Sequence, residues 1–138
     1  MQKLNIEPTP ITPAIRFSPD ENVFFIRGKS SPEDVRALYH PVREWTKGFV
    51  DEVLKGGYKN YNSENPLRFQ IDLTYFNSSS AKFFFDILKE LKKLPEAGFP
   101  VNVEWYYEED DSDMKEAGDD ISLLVEMGFT FIEKPAEY

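Results

Sequence analysis

RFQIDLTYFNSSSAKFFFDILKEL, residues 68–91, is the stretch that decides the fold. Leu67, Phe69, Ile71, Leu73 and Tyr75 alternate with Arg68, Gln70, Asp72 and Thr74, the two-residue period of a strand with one buried face. From Phe84 onward the apolar positions Ile87, Leu88 and Leu91 recur at helical spacing. The joint between strand and helix is Asn77-Ser78-Ser79-Ser80. Asn and Ser are favoured helix N-caps, because their side chains accept hydrogen bonds from first-turn N–H groups that have no partner within the helix. Capping uses one such residue, so a run of three serines leaves hydroxyls over. A hydroxyl at a helix N-terminus sits where the helix dipole and free N–H groups favour negative charge. A phosphate there adds roughly 1.5 to 2 negative charges without opposing the helix. Local physics permits a phosphorylation switch at this joint and does not require one.

Working outward, residues 1–13 contain Pro8, Pro10 and Pro13 and are expected to run extended. Ala14–Phe17 and Val23–Arg27 read as two short strands around a Ser18–Asn22 hairpin connection. Ser31-Pro32-Glu33-Asp34 reads as a helix start, with a cap, a proline at the first helical position and acids at the positive end. That helix places Val35, Leu38, Val42, Trp45, Phe49 and Val53 on one face and should stop at Gly56-Gly57, with a kink or break near His40 imposed by Pro41. Downstream, Val101, Val103, Trp105 and Tyr107 alternate with Asn102, Glu104, Tyr106 and Glu108 as another strand. A helix follows with Met114, Ala117, Ile121, Leu124 and Val125 inward, Ser112 or Asp113 as its cap and Gly128 as its C-cap. Phe129–Ile132 gives a last strand, and 134–138 reads as a frayed tail.

The order β-β-α-β-α-β-α-β in a single domain spanning 1–138 predicts an α/β fold with a mixed sheet of about five strands. Strands joined through helices are parallel with right-handed crossovers, so an antiparallel pair stands only at the start. The central strands alternate apolar with polar, which places the helices mainly on one face and leaves the other to polar residues with partial aromatic cover from Tyr106 and Phe76.

Composition narrows the function. The chain has 138 residues, 41% of them hydrophobic and 15% aromatic, material for one core. It has no cysteine, which removes disulfides and thiolate metal sites. No run is long and apolar enough to span a bilayer, and MQKLNIEPTP lacks a signal-peptide core, so a cytoplasmic location is expected. Nine acidic residues and one lysine between Glu104 and Asp120 account for most of the net charge of −9. Such a surface repels phosphate backbones and anionic membranes, and no basic stripe offsets it.

Catalytic inventories are short. Without cysteine, and with His40 as the single histidine beside Pro41, no nucleophilic triad can be assembled. Gly56-Gly57 lacks the strand, spacing and lysine of a phosphate-binding loop. The run Glu108–Asp113 is the best place for Mg²⁺ or Ca²⁺, yet it departs from EF-hand spacing, and acids before a helix are accounted for by capping and the dipole. No metal and no cofactor are expected. Lys82, four residues after Ser78, lies one helical turn along, within reach of a phosphate there.

An ordered set of segments spanning nearly the whole chain resembles the SiaC-like bacterial regulatory proteins, relatives in fold and logic of the anti-anti-sigma (STAS-type) factors. The set comprises Thr12-Pro13-Ala14-Ile15, Ser31-Pro32-Glu33, Trp45, Tyr75-Phe76-Asn77-Ser78-Ser79-Ser80-Ala81-Lys82, Val103-Glu104-Trp105-Tyr106-Tyr107 and Asp111-Ser112-Asp113-Met114-Lys115-Glu116-Ala117-Gly118. The resemblance implies a STAS-like domain acting as a non-enzymatic, phosphorylation-switched adaptor. It implies a serine/threonine protein kinase that modifies the Asn-Thr-Ser-Ser motif and a metal-dependent protein phosphatase that reverses it. It also implies an effector such as a diguanylate cyclase, bound by the unphosphorylated form. Carried over by motif, the acceptor is Ser78, where the family usually has threonine; serine keeps the hydroxyl. Phe76, Asn77, Ser79, Ser80 and Lys82 surround it as partner-binding positions, with Ser79 and Ser80 as fallback acceptors. The competing reading is a constitutive interaction module in which the serines only cap a helix and the acidic edge docks a partner. A third reading, an acid-based metal enzyme, lacks ligand spacing.

Overall fold

Six strands lie in the sheet in the order in which the chain makes them. The computed structural model describes residues 1–136. Strands β1 (Leu4–Ile6), β2 (Ala14–Ser18) and β3 (Val23–Ser30) form an antiparallel meander. Helix α1 (Val35–Leu54) leads to β4 (Leu67–Phe76). Helix α2 (Ser78–Leu91) and the short α3 (Lys93–Glu96) lead to β5 (Val101–Glu108), and α4 (Ser112–Val125) leads to β6 (Phe129–Lys134). The pairs β3–β4, β4–β5 and β5–β6 are all parallel. Each crossover steps in the same direction along the sheet. Right-handed crossovers that all step one way must put their helices on one face, as the alternating strand pattern requires.

The mixed α/β class holds, with two differences in the strands. Six strands replace about five, because Leu4–Ile6 within the proline-rich N-terminal segment pairs with Ile15–Phe17. Trp45 helps to fix this edge by donating its indole N–H to the Gln2 carbonyl at 2.9 Å. The C-terminal strand also runs further than expected. Lys134 lies in β6 and pairs with Asp72 at 2.8 Å, so the expected tail begins later; Glu137 and Tyr138 lie outside the described residues.

Ile15, Phe17, Phe24, Ile26, Leu67, Phe69, Ile71, Val103 and Trp105 face the helices and are buried. From α1 come Tyr39, Val42, Thr46, Phe49, Val50 and Val53, so Tyr39 joins the expected face. Asp34, rather than Ser31, caps this helix, accepting from the Ala37 N–H at 3.0 Å. Pro41 sits inside α1 without breaking it. Proline cannot donate to the carbonyl four residues back, but here Ala37 and Pro41 are both exposed, so water reaches that carbonyl.

On α4 the buried residues are Met114, Gly118, Ile121 and Val125, whereas Leu124 is 67% exposed, against expectation. Gly118 explains the placement. A Cβ there would lie 2.6 Å from the Trp105 indole nitrogen, so the helix rests directly on the ring. The N-cap is Asp111, not Ser112 or Asp113. The C-cap is Glu126 in the left-handed region, φ 57°, two residues before Gly128.

Candidate functional site

The carboxyl ends of the parallel strands β3, β4 and β5 deliver the chain to the N-termini of α1, α2 and α4, the usual place for a site in an open α/β sheet. At the end of β4 the alternation changes phase. Opposite Gly28/Lys29 the register slips, so Leu73 pairs with Gly28 but Tyr75 with Lys29, leaving Thr74 over. A bulge of this kind turns the following side chains to the other face. Tyr75, expected inward, is therefore 50% exposed, with the Lys29 ammonium 5.9 Å from its ring centre. Phe76, expected on the open face of the sheet, turns to the helices instead. It packs edge-on against Phe84 and Trp105, with ring centres 5.4 and 5.9 Å away.

Asn77 then caps α2. Its side-chain oxygen accepts from the Ser80 N–H at 2.9 Å and from the Ser79 hydroxyl at 3.0 Å. Its own N–H donates to the Ser30 carbonyl at 3.1 Å. The three serines consequently part company. Ser80 is fully buried, its hydroxyl 2.9 Å from that of Ser30, which lies 2.6 Å from the Tyr39 hydroxyl. Burial pushes the Tyr39 phenol far above its usual range, so this chain of three hydroxyls stays neutral and ties β3, α1 and α2 together beneath the helix tip. In the folded protein the Ser80 hydroxyl is thus enclosed, unlike those of its two neighbours. Ser79 is exposed, and its hydroxyl is held by the cap. Ser78 is exposed, and among the described residues its hydroxyl makes no hydrogen bond. Lys82 is exposed one turn further along α2.

Ser78 borders a cavity of about 430 Å³ whose wall includes Tyr75, Phe76, Asp111, Asp113 and Met114. The floor is apolar and the far rim acidic, because the N-terminus of α4 arrives there. Asp111 is occupied as cap, accepting from the Met114 N–H at 3.0 Å. Trp105 holds this rim in place by donating to the Met114 carbonyl at 3.0 Å. The sequence pattern pointed to the serine joint and to an acidic edge before α4, but not to Ser30 or Tyr39, nor to the meeting of Tyr75 and the α4 rim beside Ser78. Those depend on a bulge and on contacts across the layer. A hydroxyl pair at 30 and 80 could have been sought only once β3 and β4 were known to be neighbours.

A second polar cluster lies on the open face of the sheet. Glu104 accepts from Arg68 at 3.0 Å, Gln70 at 2.9 Å and Tyr106 at 3.3 Å. Burial pushes the Glu104 carboxyl up, and the hydrogen bonds from Arg68, Gln70 and Tyr106 outweigh it and hold it below the usual glutamate range. Burial, with Glu104 beside it, raises the Tyr106 phenol. A carboxylate so fully engaged is a cross-strand brace. Among the described residues no group of three or more His, Asp or Glu converges to hold a metal ion, and no helix is long and apolar enough to cross a membrane.

Comparison with known proteins agrees with this geometry. The family model described as SiaC family regulatory phosphoprotein matches residues 6–134. The uncharacterised protein PA14_02130 of Pseudomonas aeruginosa (strain UCBPP-PA14) is 31% identical over 108 residues, 78% of either chain. The crystal structure of apo-SiaC from Pseudomonas aeruginosa superposes with a TM-score of 0.75 at 28% identity, covering 97% of this chain and 99% of that one. In the crystal structure of the diguanylate cyclase SiaD in complex with its activator SiaC, from the same organism, the matching chain gives a TM-score of 0.79 at 26% identity. That match covers 95% of this chain and 99% of the other. With the match running through both the strand–serine–helix joint and the α4 rim, the chain belongs to the SiaC family of regulatory phosphoproteins.

Proposed function

We propose that the protein is a non-enzymatic signalling adaptor whose state is set by phosphorylation of Ser78. A serine/threonine protein kinase transfers a phosphoryl group to the Ser78 hydroxyl, and a metal-dependent phosphatase hydrolyses it. The unmodified form binds an effector, a diguanylate cyclase by analogy with the SiaD–SiaC complex. One observation carries the choice of residue. Of the three serines, Ser78 alone is exposed with its hydroxyl unengaged, while Ser79 is tied to Asn77 and Ser80 to Ser30.

The physics of release follows from the cavity beside Ser78. A partner that covers Tyr75, Phe76 and Met114 removes water from the hydroxyl as well, and a neutral hydroxyl tolerates this. A phosphate dianion facing Asp113 does not. An uncompensated buried charge costs about 3–5 kcal/mol, and at about 1.4 kcal/mol per decade this lowers affinity on the order of a hundredfold or more. The fold is untouched, because added negative charge at the start of α2 suits the helix dipole.

The test is intact mass and phosphopeptide mapping of the protein from its own host, then titration of both forms against the host's diguanylate cyclases. A single phosphate at Ser78 and tighter binding by the unmodified form are expected. Phosphoserine at 78 that leaves affinity unchanged would refute the switch, and a protein unmodified under every growth condition would favour the constitutive module.

A further inference from the structure

The outward face of α4 carries Asp113, Glu116, Asp120, Leu123 and Leu124, spaced three and four residues apart along one stripe, opposite the buried Met114, Gly118, Ile121 and Val125. Leu123 is 76% and Leu124 67% exposed, the two most exposed large apolar side chains among the described residues. Beside them, Asp113, Glu116 and Asp120 form no ion pair or side-chain hydrogen bond among the described residues. Lys115, the one cation of the helix, is bound to Asp119 at 2.9 Å and sits 4.1 Å over the Phe131 ring. Helix capping does not account for this stripe. The dipole favours acids only in the first turn, which covers Asp113 but neither Glu116 nor Asp120. Those two are like charges four residues apart, which disfavours the isolated helix. The stripe thus places unpaired acids next to paired leucines, and both features become favourable only against a complementary surface.

We propose that this face of α4 is a docking surface for a protein partner that sets Lys or Arg side chains against Glu116 and Asp120 and an apolar patch against Leu123 and Leu124. The proposal rests on the adaptor reading, in which that partner is the effector. A second copy of the chain does not fit, since it would set acid against acid on a protein of net charge −9. The helical rise puts Leu124 about 16 Å from Asp113, so the partner's cations and apolar patch are separated by a comparable span. Asp113 belongs both to this stripe and to the rim of the Ser78 cavity, so a partner laid along the stripe also reaches Ser78.

The test uses the tagged full chain recovered from its host with quantified co-purifying proteins. It compares wild type, Ser78→Ala, Ser78→Asp, Leu123→Ser with Leu124→Ser, and Glu116→Lys with Asp120→Lys. A photo-crosslinking residue at position 123 maps the contact, and melting curves confirm that the exposed substitutions leave the fold intact. Both stripe variants are expected to lose, by about tenfold or more, the partner that Ser78→Asp also loses, and the crosslink is expected on a partner segment with excess Lys and Arg. Undiminished recovery by both stripe variants, or a crosslink to a segment with excess acid, overturns the proposal. If Ser78→Asp and the protein phosphorylated at Ser78 both keep the partner and the stripe variants lose it, the docking surface stands and the switch falls. Loss by Ser78→Asp alone gives the reverse, and a wild type that recovers no partner overturns both.

Discussion

Replacing Gly118 by alanine tests how α4, and with it the acidic rim of the Ser78 cavity, is held against the sheet. Two effects oppose each other. Alanine favours the helix over glycine by about 1 kcal/mol. Against this, the new Cβ would stand 2.6–2.7 Å from Nε1, Cδ1 and Cε2 of Trp105, and the ring cannot move aside. It is fully buried, stacked on Phe129 at 6.0 Å and met edge-on by Phe76 at 5.9 Å. Either α4 moves outward or the ring rotates and gives up its hydrogen bond to the Met114 carbonyl. Overpacking costs about 1–3 kcal/mol, and a buried donor left unsatisfied adds about 1–3 kcal/mol. The net expectation is a loss of about 2 kcal/mol, or roughly 6–10 °C in melting temperature for a domain of this size. Urea titration followed by tryptophan fluorescence and far-UV circular dichroism measures it. A midpoint equal to or above that of wild type would show that α4 does not rest on Trp105, and the proposed rim would lose its support.

Other expectations follow from single contacts. Asn77→Ala removes the cap of α2 and should cost about 1 kcal/mol in chemical denaturation, while Asn77→Asp should cost less; equal losses would remove the cap from the account. Ser80→Ala breaks the buried hydroxyl chain and should lower stability by about 1 kcal/mol yet leave phosphate incorporation at Ser78 intact, as mass mapping would read; loss of labelling would make Ser80 the acceptor. For Glu104, whose carboxyl is held below its usual value of 4.5, the sign is that of a depressed acid. Its contribution is present above the unfolded value and is lost as pH falls through the lower folded one. The stability difference between wild type and Glu104→Gln should therefore shrink on the acid side, and a difference that stays constant from neutral pH to about pH 3 would contradict the brace.

The strand–serine–helix joint was legible because each of its parts signals locally: period two, a cap, then helical spacing. The single-sided helical layer was legible from Gln70 and Glu104 lying opposite the apolar positions. What escaped was set by partners distant in sequence. Leu4–Ile6 is a strand only because β2 offers an edge, and three residues ahead of the first proline are too few to show a period. Tyr75 and Phe76 exchange faces because the register slips against Gly28 and Lys29, on another strand. Leu124 fits an apolar period, but the helix turns so that the small Gly118, not a larger side chain, meets Trp105. Ser80 could not be told from its two neighbours until Ser30 and Tyr39 were placed beside it.

The sheet's order, each strand beside the one before it, bears on how the protein is made. Every pairing is between strands consecutive along the chain, so no strand waits for a partner more than one crossover away. As the chain leaves the ribosome the sheet can lengthen by one strand at a time, N-terminal part first. The hydroxyl chain of Ser30, Tyr39 and Ser80 closes once β3, α1 and the start of α2 are out. The pedestal beneath Ser78 is thus complete before α4 exists, and the acidic rim and outward stripe of α4 are added last, to an acceptor already in place.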